Sequence, residues 1–313
     1  LSDAIPEKLS QCIVSGNEIQ TIASMCNATN SLDFSIMERT AFTKMYKKAK
    51  EKGTEAISME YDIPQEEVEV LLPSLIVLNR LLKYTVNDSI LLSNVLLSDA
   101  VMFEMLFPKE ASFVVKAYEE FTLQSATSIA ERFGRDLDHI SRVSSVALEI
   151  YDKMKKLHGY KLRERTLLQV SAILQDIGKY VNVKNHALLS YNTITNLDIV
   201  GINDHERLII ATVCYYHNGN IPSMDSPIYN QLSQEDRVMV SKLAAILQIS
   251  NAINTSHSPK FEQVNVNMKN GKLNIYLTTL KNINLEKWAF IAKSKLFREV
   301  YGLNATIIKR GVL

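Results

Sequence analysis

The chain has 313 residues, with 35 Lys and Arg against 34 Asp and Glu, so its formal net charge is +1. This length predicts about two domains at roughly 150 residues per domain. The 46% hydrophobic and 22% charged fractions exclude a disordered chain, a collagen-like chain and a strongly cationic nucleic-acid-binding protein. The three cysteines are too few and too scattered for a disulfide framework, which favours a cytoplasmic location, and no apolar run is long enough to predict a membrane span.

The first 107 residues alternate predicted strands and helices. Residues 11–16 predict a short buried strand, and a helix follows from Ile19 to Cys26. The three-to-four spacing of apolar residues predicts a helix over 35–52. We expect a further helix from Asp62 onward to kink or break at Pro73, and residues 88–97 to form a second buried strand. This alternation is typical of an α/β fold.

After a linker at 107–110, the character of the chain changes to helical. Helices are predicted over 112–160, with a break near Gly134, and over 163–177, 186–196, 204–217 and 234–254. The last part alternates again over 263–277 around Asn270-Gly271, which predicts a β-hairpin. A helix at 284–300 and a strand at 303–309 complete the prediction.

All six histidines lie between 139 and 257. His139, His186 and His217, together with Asp176, can meet inside a helical bundle, where metal sites are built. Imidazole and carboxylate groups are suitable ligands for a divalent metal. Histidines at helix ends are, however, at least as often capping or hydrogen-bonded core groups. Spacing alone therefore leaves both interpretations open.

The stretches 138–143, 174–178, 185–191, 213–217 and 247–257 come in an order that resembles a known family. They are similar to the HD-type helical domain of the exopolyphosphatase and guanosine pentaphosphate phosphohydrolase family, and 285–288 with 297–302 resemble its C-terminal end. Upstream, residues 14–18 resemble the phosphate loop of the second lobe of an actin-like (ribonuclease H-like) fold, and 66–106 resemble the end of that lobe.

The resemblance implies an α+β, mostly α fold in three parts. These are the C-terminal part of a second actin-like lobe at 1–107, an HD-like helical domain at 112–258, and a small C-terminal α+β subdomain at 259–313. In the family, the catalytic carboxylate lies in a preceding lobe, and Mg²⁺ assists water in attacking a terminal phosphate. We therefore expect no catalytic residue in these residues, an inactive isolated chain, and Mg²⁺ only in the complete enzyme.

The chain departs from the HD pattern at two ligand positions. Gln175 replaces the histidine of the His-Asp doublet, and Asn251 replaces the distal aspartate. The degenerate site that the resemblance implies comprises His139, Gln175, Asp176, His186, His217 and Asn251. Because amide side chains are poor ligands for transition metals, we predict that this site holds no metal.

An anionic substrate needs cationic and backbone donors. The resemblance and the positions of the basic residues give six candidate phosphate-binding residues: Ser15, Gly16, Asn17, Arg135, Arg142 and Lys179. The expected partners are inorganic polyphosphate or guanosine pentaphosphate, and a second copy of the chain in a homodimer. Two alternatives stay open: a catalytically degenerate interaction or regulatory module, for which Trp288 would suit a packing face, and an HD-type metal phosphohydrolase.

Overall fold

A computed structural model describes residues 8–30, 34–93, 95–110, 112–256, 261, 263–269 and 271–311. The chain divides into two compact units, Leu1–Ser112 and Phe113–Leu313. Helices make up most of the described residues, and each unit also contains one small β-sheet. The predicted α+β, mostly α fold class is therefore confirmed.

Within its described residues, the first unit contains a four-stranded sheet and four α-helices. Its strands are β1 (Ile13–Val14), β2 (Thr29–Asn30), β3 (Phe34–Glu38) and β4 (Ser89–Ser93), and its helices are α1 (Asn17–Met25), α2 (Arg39–Tyr61), α3 (Gln65–Leu81) and α4 (Leu97–Leu106). The strand order is β1-β4-β3-β2. Strand β1 is parallel to β4, whereas β3 is antiparallel to both of its neighbours.

Strand β3 replaces the start of a predicted helix. The expected helix over 35–52 is wrong at 35–38, because these residues pair with β4, and α2 begins only at Arg39. Along β3, Met37 is fully buried while Ile36 is partly exposed, which is the two-residue period of a strand. Pairing within the sheet therefore outweighs the local helical spacing. The strand predicted over 88–97 is likewise shorter, because it ends at Ser93.

A kink or a break was expected at Pro73, and helix α3 continues through this residue without a break. The interruption lies in α2 instead, where Gly53 has φ 79° and ψ 174°. A positive φ of this size is readily adopted only by glycine. Of these two helices, α3 is therefore continuous and α2 is interrupted at Gly53.

The second unit is a bundle of nine helices within the described residues. They are α5 (Ser112–Arg132), α6 (Leu137–Lys153), α7 (Lys155–His158), α8 (Leu162–Leu174), α9 (His186–Ile194), α10 (Asp204–Tyr216), α11 (Pro227–Asn230), α12 (Gln234–Ile253) and α13 (Asn284–Tyr301). Side-chain caps fix several starts: Asp136 accepts from the backbone N–H of His139, Asn203 from that of Glu206, and Ser233 from that of Asp236. The helical segments predicted from 112 to 254 are therefore confirmed.

A three-stranded sheet completes the second unit. Strands β5 (Gln263–Lys269) and β6 (Lys272–Thr278) form the predicted antiparallel hairpin, and β7 (Asn304–Arg310) is parallel to β6. Asn270 of the expected Asn-Gly turn lies outside the described residues, and Gly271 has φ 68°. Leu273 and Ile275 of β6 belong to the same buried core as the helices. Among the described residues, no helix combines the length and the apolar character needed to cross a membrane.

Candidate functional site

The turn after α8 packs closely against the start of α9 at Gly178. A Cβ atom on Gly178 would lie 2.2 Å from the carbonyl oxygen of His186 and 2.5 Å from the backbone nitrogen of Ser190. The Ser190 hydroxyl accepts from the backbone N–H of Gly178 at 2.9 Å and donates to the carbonyl of Gln175 at 2.8 Å. This turn therefore sets the position of Asp176 relative to His186.

Asp176, His186 and His217 form a buried triad at this turn. His217 Nε2 lies 3.3 Å from Asp176 Oδ1, and His186 Nε2 lies 3.6 Å from the same oxygen. The two Nε2 atoms are 3.4 Å apart. Asp176 follows the end of α8, His186 begins α9 and His217 directly follows α10, so three helix ends supply three ligand-type atoms.

Backbone carbonyls determine which ring nitrogens of the two imidazoles carry hydrogen. His186 Nδ1 donates to the carbonyl of Val183 at 2.8 Å, and His217 Nδ1 donates to the carbonyl of Cys214. A carbonyl oxygen only accepts, so each Nδ1 carries its hydrogen. A neutral ring in this arrangement presents the lone pair of Nε2 to the centre of the triad.

The charges of the triad also suit ligation. Burial would raise the pKa of Asp176, but the His217 imidazole when it is protonated, and the Lys179 ammonium, lower it far below the usual value, so the carboxylate is ionised. Burial lowers the pKa of His186, against the effect of its Val183 contact, so this imidazole is neutral at pH 7. Lys179 Nζ lies 2.7 Å from Asp176 Oδ2, the oxygen that does not face the imidazoles.

A polar cavity of about 150 Å³ adjoins the triad. Its lining includes Arg135, His139, Gln175, Asp176 and Lys179. The Arg135 guanidinium is anchored by donating to the carbonyls of Phe133 at 3.0 Å and of Asp176 at 3.4 Å. Two of the predicted phosphate-binding residues, Arg135 and Lys179, therefore share this cavity.

Gln175 is 1% exposed, yet its amide has no hydrogen-bond partner among the described residues. An unsatisfied buried amide costs about 1–3 kcal/mol. Because Gln175 lines the cavity beside Asp176, a ligand or water in that cavity would satisfy it. The sequence could indicate only that Gln175 is an unusual residue for its position, since burial and satisfaction depend on the packed fold.

Of the six residues of the predicted degenerate HD site, three have ligand-type side chains that converge in the structure. Asp176, His186 and His217 meet, whereas Nδ1 of His139 accepts from the amide of Asn254 at 2.8 Å. Asn251 lies on α12, one turn before Asn254. Arg142 lines a different cavity, of about 490 Å³, with Asp152 and Arg165, so the structure does not bring it to Arg135 and Lys179.

The other predicted phosphate-binding residues belong to the first unit. Ser15 and Gly16 connect β1 to α1, and Asn17 is the first residue of α1. Gly16 has φ 143°, which favours glycine. The Ser15 hydroxyl donates to the carbonyl of Val95 at 3.5 Å. Asp99 accepts from the backbone N–H of Leu96 at 2.8 Å, so its carboxylate caps α4. Phosphate binding by Ser15, Gly16 and Asn17 stays a prediction.

Two further histidines have structural contacts of the kind that single histidines usually make. His158 is buried, and its two ring nitrogens contact the carbonyl of Tyr151 and the backbone N–H of Tyr160. His205 Nε2 lies 3.0 Å from Asp236 Oδ2, but its side chain is 63% exposed and it makes no third ligand-type contact in the described part of the chain. His257 lies outside the described residues.

Lys293 on α13 is a residue that sequence reasoning missed. Burial lowers the pKa of its ammonium, while the charge of Asp176 opposes this effect and that of Lys179 adds to it. Lys293 is 117 positions along the chain from Asp176, and its helix showed no functional motif, so only the packing of α13 on α12 reveals this proximity.

A comparison with protein families identifies the family of this chain. The family model for Ppx/GppA phosphatase, domain III, matches residues 123–296. The match covers more than half of the 313 residues and includes the triad, the cavity and most of the helical bundle. Its two names are those of the exopolyphosphatase and guanosine pentaphosphate phosphohydrolase family that the sequence resembles. The chain belongs to the Ppx/GppA phosphatase family.

Proposed function

We propose that this chain guides and holds the polyanionic substrate of a hydrolase that cleaves terminal phosphoanhydride bonds. The substrate is inorganic polyphosphate or guanosine pentaphosphate. In this proposal the first unit is part of an actin-like lobe, the second unit is an HD-like domain, and the catalytic carboxylate lies in a lobe outside these residues. Family membership supports the reaction class.

The observation that carries this proposal is the cavity shared by Arg135, Lys179 and the buried amide of Gln175. The guanidinium and ammonium groups supply positive charge, and the unsatisfied amide supplies a donor that a phosphate oxygen can use. Asp176 offsets part of that charge through its ion pair with Lys179. We therefore propose one phosphate group per cavity, held by both basic side chains.

Magnesium is implied for the complete enzyme, and the described residues do not fit it. Mg²⁺ prefers oxygen ligands in an octahedral arrangement. The one converging group of ligand-type side chains among the described residues contains two imidazoles and a single carboxylate. We therefore assign no step that uses magnesium to these residues and propose that the chain alone is inactive.

The experiment is a calorimetric titration of the chain, at low salt, with inorganic polyphosphate of defined length. We expect Arg135→Gln and Lys179→Gln to weaken binding by about 10-fold each, since a charge-assisted hydrogen bond contributes about 1.5–3 kcal/mol. Lys156→Gln is the matched control, because Lys156 is exposed on the short helix α7 and its substitution removes the same charge. Equal affinities for all three variants would contradict the proposed site.

A parallel assay of phosphate release tests where the chemistry resides. The chain should release no phosphate from polyphosphate, whereas a version that carries an upstream actin-like lobe should release it. Release by the chain alone would contradict the proposal that the catalytic carboxylate lies outside it. We also propose a homodimer, for which sedimentation equilibrium is the direct measurement.

A further inference from the structure

We infer that Asp176, His186 and His217 bind one divalent transition-metal ion, with Zn²⁺ as the reference ion. This inference reverses the sequence-based expectation of an empty site. It rests on contacts inside the helical unit and does not depend on the proposed polyphosphate binding. It also differs from the ligand set that the family resemblance implied, because Gln175 and Asn251 are amides and His139 is engaged with Asn254.

The electrostatics of the triad favour a bound cation. The carbonyls of Val183 and Cys214 hold the Nδ1 hydrogens, so two Nε2 lone pairs and one carboxylate oxygen point at one another across 3.3–3.6 Å. Three converging acceptors repel each other unless a cation lies among them. A metal ion can satisfy all three atoms at once, whereas a single proton can be shared by only two of them.

The triangle formed by the two Nε2 atoms and Asp176 Oδ1 has the size of a zinc site. In a tetrahedral zinc site the ligand atoms lie about 2.0–2.1 Å from the metal, which separates them from each other by about 3.3–3.4 Å. The three distances of 3.3, 3.4 and 3.6 Å match this spacing. Three protein ligands leave one position for a water molecule or an anion oxygen.

The three ligands are already oriented by hydrogen bonds on their far sides. Each imidazole donates its other ring nitrogen to a backbone carbonyl, and the second oxygen of Asp176 accepts from Lys179. Such outer contacts orient metal ligands and are typical of metal sites. They also mean that Lys179 neutralises the carboxylate without occupying the ligating oxygen.

Two imidazoles and a carboxylate favour zinc, cobalt, manganese or iron(II) over magnesium or calcium. The adjoining cavity, with the unsatisfied amide of Gln175, gives room for the remaining ligand next to Asp176. The site is therefore an N₂O centre with one exchangeable position. The ion also links α8, α9 and α10 through their ends.

The test uses the untagged chain, stripped with chelator and titrated with Zn²⁺ and, separately, with Co²⁺. We expect one equivalent of Zn²⁺ to bind, and Co²⁺ to give the intense visible absorption of a four-coordinate site. His186→Gln and His217→Gln should weaken Zn²⁺ binding at least about 100-fold, because even the loss of an outer contact costs about 10–100-fold. His205→Gln is the matched control, since His205 also contacts a carboxylate but lacks a third ligand partner.

Circular dichroism of each variant shows whether it folds. If His217→Gln fails to fold, His186→Gln at the start of α9 carries the same expectation, and the Co²⁺ spectrum of the unmodified chain is a second readout. The inference is overturned if Zn²⁺ binds no more tightly than to a non-specific surface histidine. It is equally overturned if His186→Gln binds Zn²⁺ like His205→Gln, or if Co²⁺ gives only the weak absorption of six-coordinate ions. Loss of polyphosphate binding alone would leave this result unchanged, so the two proposals fail separately.

Discussion

The backbones of Gly178 and His186 approach each other so closely that a single methyl group does not fit between them. A Cβ at position 178 would lie 2.2 Å from the carbonyl oxygen of His186, and that oxygen belongs to the backbone at the first residue of α9. Relief requires movement of either the turn after Asp176 or the helix that carries His186. The spacing of the triad therefore depends on the absence of a side chain at this position.

We expect Gly178→Ala to lower the free energy of unfolding by about 3 kcal/mol, the upper range for overpacking. It should also weaken Zn²⁺ binding, because the backbone of His186 must shift. Urea unfolding and a zinc titration measure the two effects. Gly311→Ala is the control, since a Cβ there meets no atom within 4 Å; equal stability of both variants would contradict the close approach.

The two buried glutamines should respond oppositely to the same substitution. Gln175 and Gln248 are each 1% exposed, but only Gln248 is satisfied, through donation to the carbonyls of Tyr216 and Asn220. Gln175→Met should raise the free energy of unfolding by about 1 kcal/mol, and Gln248→Met should lower it by about 1–3 kcal/mol. Chemical denaturation of both variants decides the point, and a loss of stability in both would show that Gln175 has a bound partner in solution.

The ion pair between Arg163 and Glu206 should make stability pH-dependent. Burial raises the pKa of Glu206, but the hydrogen bond from Arg163 and the backbone N–H of Asn203 lower it more, so the net pKa is lowered. Its stabilising contribution is therefore present above the unfolded pKa of about 4.3 and is lost as pH falls through the folded pKa.

Glu206→Gln should lower the free energy of unfolding by about 1–2 kcal/mol at pH 7, a modest value because the Arg163 side chain is 38% exposed. The difference from the unmodified chain should shrink below about pH 4. Asp152→Asn, which removes the more exposed pair with Arg165, is the control, with an effect of about 0.5 kcal/mol. Unfolding curves at several pH values measure this, and a difference that grows in acid would contradict it.

Trp288 and Phe297 lie on the same helix, α13, but in opposite environments. Trp288 is 71% exposed, whereas Phe297 is fully buried. Trp288→Ala should change the free energy of unfolding by no more than about 0.5 kcal/mol in dilute solution. Phe297→Ala should lower it by about 3–5 kcal/mol.

Thermal unfolding at two protein concentrations measures the effect of both substitutions on stability. A concentration-dependent loss in Trp288→Ala would show that this face is covered in the proposed homodimer. A large loss in the dilute sample would contradict the exposed position of Trp288.

The helical unit could be predicted almost completely from sequence, because its segments from 112 to 254 have strong apolar periodicity and clear caps such as Asp136 and Ser233. Strand β3 could not, since its alternation over five residues is weaker than the helical pattern that follows it. At the site, the sequence indicated that four candidate residues can meet, but not which of them converge on one centre. His186 and His217 meet Asp176 from 10 and 41 positions further along the chain, while His139 is engaged with Asn254, 115 positions away, and these contacts depend on how the helices pack.

The parallel pairing of β7 with β6 has a consequence for handling the protein. In the described sheet β6 is the central strand, with β5 on one side and β7 on the other. Removal of residues 304–310 would leave the apolar strand β6 with unpaired backbone donors and acceptors along one side. Exposed strand edges of this kind recruit strands from other molecules. Shortened versions of this chain that stop before β7 should therefore precipitate or form fibrils on storage, whereas versions that keep β7 should stay dispersed.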